Sequence, residues 1–164
     1  MTPIRSTRSR KASVATVELS FSALPAHVRT ARLVAAAVAR RSGVDEAVLD
    51  EVRLAVGEAC SRAVHLHRRH CPDRPVMVTL TDDSDAFRVA VTDQGPSDDA
   101  VDEEPGLQAL AESSDADVEL LDDLVPPGVG LAVISGLVDD VSVERGTGAD
   151  GRGLVVRMAW PTSS

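Results

Sequence analysis

Residues 54–64 read Leu54-Ala55-Val56-Gly57-Glu58-Ala59-Cys60-Ser61-Arg62-Ala63-Val64, an alanine-rich run broken by one glycine and two opposite charges. The run sits inside a longer segment, about Asp45 to His67, in which Val48, Val52, Ala55, Val56, Ala59 and Ala63 recur at steps of three and four. That period lines them along one side of an amphipathic helix and makes that side core. Pro72 and Pro75 end the segment. Another helix precedes it. Pro25 suits the first turn, AHVRTARLVAAAVARR sets Val28, Ala31, Leu33 and Ala35 among charges, and Gly43 stops the run.

Working outward, strand signals flank the helices. VATVELS at Val14–Ser20 alternates apolar and polar residues, and so do Val76–Thr81 and Ala86–Thr92 around the acidic turn Asp82, Asp83, Ser84, Asp85. GVGLAVISGLV from Gly128 is helical again, and strands at Asp140–Glu144 and Gly153–Trp160 enclose the turn RGTGADGRG. Between Asp93 and Val125 there are twelve Asp or Glu and neither Lys nor Arg. So long a loop within a compact domain is usually functional or disordered, and its charge repels itself. The expectation is a mobile lid over 94–127. Residues 1–12, with Arg5, Arg8, Arg10 and Lys11, are expected to form a disordered basic arm before a single domain at 13–162. The order strand, helix, helix, strand, strand, lid, helix, strand, strand predicts an α/β fold. It is a two-layer sandwich of a mixed, mostly antiparallel sheet with helices on one face.

Composition narrows the function classes. The chain's 164 residues suit one domain, and only 2% are aromatic, so the core is built from Val, Leu and Ala. Few rings means few base-stacking platforms, and a net charge of -9 repels a phosphate backbone. No direct nucleic-acid contact is expected, and the charge suits a basic protein partner or simply solubility. Cys60 and Cys71 lack the spacing of a disulfide framework or a zinc ribbon. No run approaches the roughly 18 apolar residues of a membrane span, and no apolar core follows the basic N-terminus. The expectation is a cytoplasmic protein without membrane contact.

Three segments carry the chemistry. Glu58 to Val64 lies on the second long helix, Val91-Thr92-Asp93-Gln94-Gly95 ends a strand, and Gly128-Val129-Gly130-Leu131-Ala132-Val133-Ile134 opens a helix. A strand-end carboxylate can accept an adenine amino proton, and Gly95 lets backbone pass close to a base. Gly128 and Gly130 expose backbone N–H groups at a positive helix end, suited to phosphate. Read alone, each also has a plainer account, an acidic turn for Asp93-Gln94-Gly95 and a hinge for the Gly128 run after Pro126-Pro127.

In order and spacing the three resemble the N box and two glycine boxes of the histidine-kinase-like (GHKL) ATPases, of Bergerat fold. Leu54-Ala55-Val56-Gly57 and LVDDVSVER are similar to the branch of anti-sigma factor serine kinases. The resemblance spans roughly residues 14–160. It implies a catalytic base at Glu58 and nucleotide contacts at Arg62, Asp93, Gly95, Gly128, Gly130 and Leu131. It further implies an ATP-binding regulator that binds a sigma factor, an anti-anti-sigma antagonist, or both. Active members phosphorylate a Ser of the antagonist, and whether this chain forms a homodimer stays open. The alternative is a pseudo-kinase, a protein-binding module that has lost nucleotide.

The chain departs from that pattern at three positions. Where the family has the Asn that ligates Mg²⁺, this chain has Arg62, five donors and no acceptor. Pro96-Ser97 replaces the last glycine of the first glycine box, and Leu154 stands where an adenine-pocket Thr is usual. ATP or ADP is therefore expected to bind weakly or without Mg²⁺, with little kinase activity. Two readings of Arg62 are open, an ion pair with Glu58 one turn away and a direct contact with the triphosphate. The cluster His65, His67, His70, Cys71 is read as a solvated basic helix end rather than a metal site.

Overall fold

The computed structural model describes residues 14–96, 127–146 and 152–163, and only the backbone of 127–130. The basic arm lies outside the described residues, as does the expected lid apart from residues 94–96 and Pro127. Strand β1 is Ala15–Phe21, helix α1 Pro25–Arg41 and helix α2 Leu49–His70. They are followed by β2 Val76–Asp83, β3 Ala86–Thr92, α3 Pro127–Leu137, β4 Asp140–Arg145 and β5 Leu154–Pro161.

Local chemistry sets the helix ends. Pro25 occupies the first turn of α1, where a missing N–H costs nothing, and Arg40 and Arg41 face its negative C-terminus. Gly43 follows with φ +92, a left-handed conformation that turns the chain away from the helix. Asp45 then caps a short 3-10 turn, Glu46–Val48, by accepting the Ala47 N–H at 2.8 Å. Asp50 and Glu51 lie at the positive start of α2, and Arg68, Arg69 and His70 at its negative end. This helix runs three residues beyond the predicted His67.

Small side chains let α1 and α2 pack closely. Ala31, Ala35 and Ala39 of α1 and Ala55, Ala59 and Ala63 of α2 belong to one core cluster, all essentially inaccessible to solvent. At Gly57 an added Cβ would overlap Arg32 Nε, so the glycine makes room for an arginine crossing from α1. Helix α2 also contacts α3 and strands β2 and β3, which places it at the centre of the helical layer.

Beneath the helices lies one five-stranded sheet in the order β1-β2-β3-β5-β4. Each of its four pairings is antiparallel, in keeping with the mostly antiparallel sheet expected. Period-2 alternation turns Val76, Val78 and Leu80, Phe87, Val89 and Val91, and Val156, Met158 and Trp160 towards the helices. The registers Leu80↔Val89, Phe87↔Trp160 and Val91↔Val156 align these side chains in rows across the sheet. Each fully buried side chain of this size contributes about 1.5–3 kcal/mol, so three strands of them supply much of the core. Phe87 and Trp160 stack at 6.1 Å between centroids, and the indole N–H donates to Glu51 Oε1 at 2.8 Å. The other face carries Thr79, Thr81, Arg88, Ala90, Ser142 and Arg157, and among the described residues no helix covers it. This is the expected two-layer α/β arrangement.

Candidate functional site

Strand β3 ends at Thr92, and the next residues, Asp93 to Gly95, run beneath α2. Asp93 is 3% exposed, and its two carboxylate oxygens are both engaged. Oδ1 accepts backbone N–H groups of Gly95 at 3.1 Å and Leu154 at 3.3 Å. Oδ2 accepts Arg62 Nη1 at 2.6 Å, forming an ion pair buried on both sides. The Asp93 N–H donates in turn to the Leu154 carbonyl at 3.0 Å, so the start of β5 clasps the same residue twice. Arg62 Nε is buried and has no hydrogen-bond partner among the described residues.

Of the two open readings of Arg62, the ion pair with Glu58 gives way to a pair with Asp93. Arg62 leaves its own helix face and reaches 31 positions along the chain to Asp93. An exposed i,i+4 pair contributes only a few tenths of a kcal/mol, about 0.3–0.5, whereas a buried carboxylate without a counter-ion is strongly destabilising. Both partners lie inside, so the stronger requirement decides the geometry. Glu58, one turn earlier on α2, is half-buried.

His67 also departs from expectation. It is wholly buried rather than part of a solvated helix end, although Arg68, Arg69 and His70 beyond it are exposed. The Gln94 N–H donates to Nε2 at 2.9 Å, which leaves Nδ1 to carry the proton and donate to the Arg74 carbonyl at 2.8 Å. With both ring nitrogens committed, His67 is a strut. Arg74 Nη1 completes the brace by donating to Gln94 Oε1 at 2.9 Å. His67, Arg74 and Gln94 were not singled out as partners in the sequence, because two of these bonds end on backbone groups that leave no residue signature. The available signal was His67's position four residues after Ala63, on the buried stripe of α2.

Among the predicted site residues, Arg62, Asp93 and Gly95 thus form one hydrogen-bonded cluster with Leu154. A Cβ added at Gly95 would meet Leu66 Cβ at 3.2 Å and Asp93 Oδ1 at 3.6 Å, so the glycine here permits close approach to α2. Gly128 and Gly130 lie in the first turn of α3, whose N–H groups lack partners within the helix. Helix α3 packs on α2, and Leu131 adds to the core edge.

A cleft of about 710 Å³ opens on the other face of the sheet, lined by Thr79, Thr81, Arg88, Ala90, Arg157 and Ser142 among others. It touches Asp93 and Gln94 at one end, but neither Glu58, Arg62 nor any residue of α3 lines it. Among the described residues no group of three or more His, Cys, Asp or Glu is placed to hold a metal ion.

These residues do not fit Mg·ATP as arranged. Recognition of an adenine amino group needs an accessible carboxylate oxygen, and Asp93 is 3% exposed, with two backbone donors on Oδ1 and the Arg62 guanidinium lying against Oδ2. Position 62 also offers only donors, which cannot ligate a cation.

Comparison with known proteins agrees with the topology. The histidine kinase-like ATPase domain family matches residues 21–160. The chain is 30% identical over 136 residues to the serine-protein kinase RsbW of Bacillus velezensis, covering 83% of this chain and 82% of that one. It is 28% identical over 132 residues to RsbW of Bacillus subtilis, with 80% and 79% covered. A crystal structure of the RsbU and RsbW domains of Rv1364c from Mycobacterium tuberculosis superposes with a TM-score of 0.56 at 16% identity. That match takes in 88% of this chain and 32% of the larger one, and it speaks to the fold alone.

Proposed function

Because the chain belongs to the histidine kinase-like ATPase domain family, we propose that it is an anti-sigma-type regulator acting by protein binding. Its partners are a sigma factor, an anti-anti-sigma antagonist, or both. The observation that carries this reading is the match to RsbW serine-protein kinases over about four fifths of both chains. A net charge of -9 supports a partner with a basic face.

Phosphorylation of an antagonist is the part of the relatives' named activity that this chain's residues support least. Phosphoryl transfer depends on positioning and on neutralising charge around the phosphate oxygens. Residue 62 supplies no metal ligand, and its guanidinium is held by Asp93 rather than freed for a phosphate. Sequestration is the activity that survives, since it draws on surfaces outside the pocket.

The test is capture of the host's sigma factors and candidate antagonists by the purified chain, followed by titration calorimetry of each hit. A saturable complex with a sigma factor or antagonist, formed equally with and without ATP, is expected. Failure to capture any of them, with the folded protein confirmed by circular dichroism, removes the proposal.

A further inference from the structure

The Arg62–Asp93 pair has a consequence that does not depend on which protein the chain binds. The structure assigns Arg62 as the specificity-determining residue of a base subsite at Asp93 that it fills itself, an internal ligand lying against the carboxylate that an adenine amino group would otherwise use.

Asp93 is held in place without Arg62's help. Gly95 N–H and Leu154 N–H fix Oδ1, the Asp93 N–H is bonded to the Leu154 carbonyl, and His67 and Arg74 brace Gln94. Those bonds orient the carboxylate and leave one oxygen, Oδ2, for an incoming donor. Arg62 Nη1 takes it at 2.6 Å. A guanidinium is planar and donates in its own plane, as the exocyclic amino group of an aminopurine does.

The surroundings of Arg62 point the same way. Its side chain is 2% exposed, yet Nε meets no acceptor among the described residues. A buried donor is normally satisfied, so an orphan marks a slot whose walls are not built for an arginine. Leu66 lies against Gly95 beside the carboxylate, and Ala59 and Ala63 flank Arg62 on α2.

An internal ligand reduces the apparent affinity for an external one by the fraction of time it is displaced. Adenine nucleotide is thus excluded in the parent, and shortening Arg62 should return Oδ2 to a base. The claim rests on the fold and this cluster, and it is read independently of any sigma-factor capture.

The experiment uses ADP and ATP, with and without Mg²⁺, against the parent, Arg62→Ala, Arg62→Gln and the double variant Arg62→Ala/Asp93→Asn. Binding is followed by calorimetry and by the amide resonances of Gly95 and Leu154. The expected result is no saturable binding and no movement of those amides in the parent at millimolar nucleotide. Arg62→Ala should gain at least about tenfold in ADP affinity, and the double variant should lose that gain. If Arg62→Ala does not fold, Arg62→Gln, which keeps a polar partner for Asp93, carries the comparison. Nucleotide that moves the Gly95 and Leu154 amides of the parent overturns the inference, whatever the variants do. So does a folded Arg62 variant that binds no better than the parent.

Discussion

Replacing Gly153 by Ala tests whether β5 must approach Asp93 as closely as the geometry says. Gly153 has φ +87, a conformation that costs a residue with a Cβ about 1–2 kcal/mol. The added Cβ would overlap the Asp93 carbonyl oxygen and lie 3.0 Å from the carbonyl carbon and 3.2 Å from Gln94 Cα. Those are backbone atoms held by their own hydrogen bonds, so relief requires moving the strand, and overpacking of this kind costs about 1–3 kcal/mol. Moving the strand also strains the bonds at 3.0 and 3.3 Å between Asp93 and Leu154, and the 2.8 Å bond from Gly146 N–H to the Gly153 carbonyl. Each such bond is worth about 1 kcal/mol net. The two steric terms sum to about 2–5 kcal/mol and the strained bonds add to that, a large part of the stability of an ordinary domain. Urea unfolding at constant m-value measures it directly. Gly136→Ala is the internal control: nothing lies within 4 Å of its Cβ position in α3, and helix propensity predicts a gain of about 0.5–1 kcal/mol. A Gly153→Ala protein within about 1 kcal/mol of the parent would refute the close approach and, with it, the anchoring of Asp93 by β5.

The buried ion pair should behave as a coupled unit. Arg62→Met and Asp93→Asn should each destabilise by about 3–5 kcal/mol, with the double variant costing clearly less than their sum; strict additivity in a urea-unfolding cycle would count against the pair. Burial pushes the Cys60 thiol up to about 12 from 9.0, with the Arg32 charge opposing. The unfolded thiol ionises above pH 9 while the folded one stays protonated, so stability is full below pH 9 and falls as pH rises towards 12. The slope is at most about 1.4 kcal/mol per pH unit, and a slope unchanged in Cys60→Ala contradicts this assignment. In the same protein at neutral pH, a thiol reagent should label the partly exposed Cys71 well before the buried Cys60. Equal labelling rates would mean α2 opens far more easily than its packing indicates. Finally, radiolabelled ATP offered with a cognate antagonist should give little or no phosphoserine. Robust transfer that disappears in Glu58→Ala would show that Arg62 assists transfer instead of blocking the site.

Helix and strand positions were legible because period alone specifies them here. The alanines of α2 at positions 55, 59 and 63 can be on one face only of a helix, and Phe87, Val89 and Val91 on one face only of a strand. Arg62, Asp93 and Gly95 were each singled out in the sequence, but the bonds among them were not. Local rules pair Glu58 with Arg62 because spacing along one helix is visible in a sequence, whereas the distance from Arg62 to Asp93 is created by folding. The same holds for His67, whose partners are a backbone N–H and a backbone carbonyl. One clue was nevertheless present. Position 62 is three residues after Ala59, next to Ala63 and four before Leu66, so it falls within the apolar stripe of α2. An arginine there is dragged into the core by its neighbours and requires a buried acid. The acid must sit where a strand delivers it beneath that helix, and Asp93 directly follows a strand whose inward residues, Val89 and Val91, already face α2. A charge that breaks an apolar stripe and an acid that ends a buried strand thus predict each other. In this chain position 62, where the resemblance implies a metal ligand, holds an arginine that is paired with Asp93 instead.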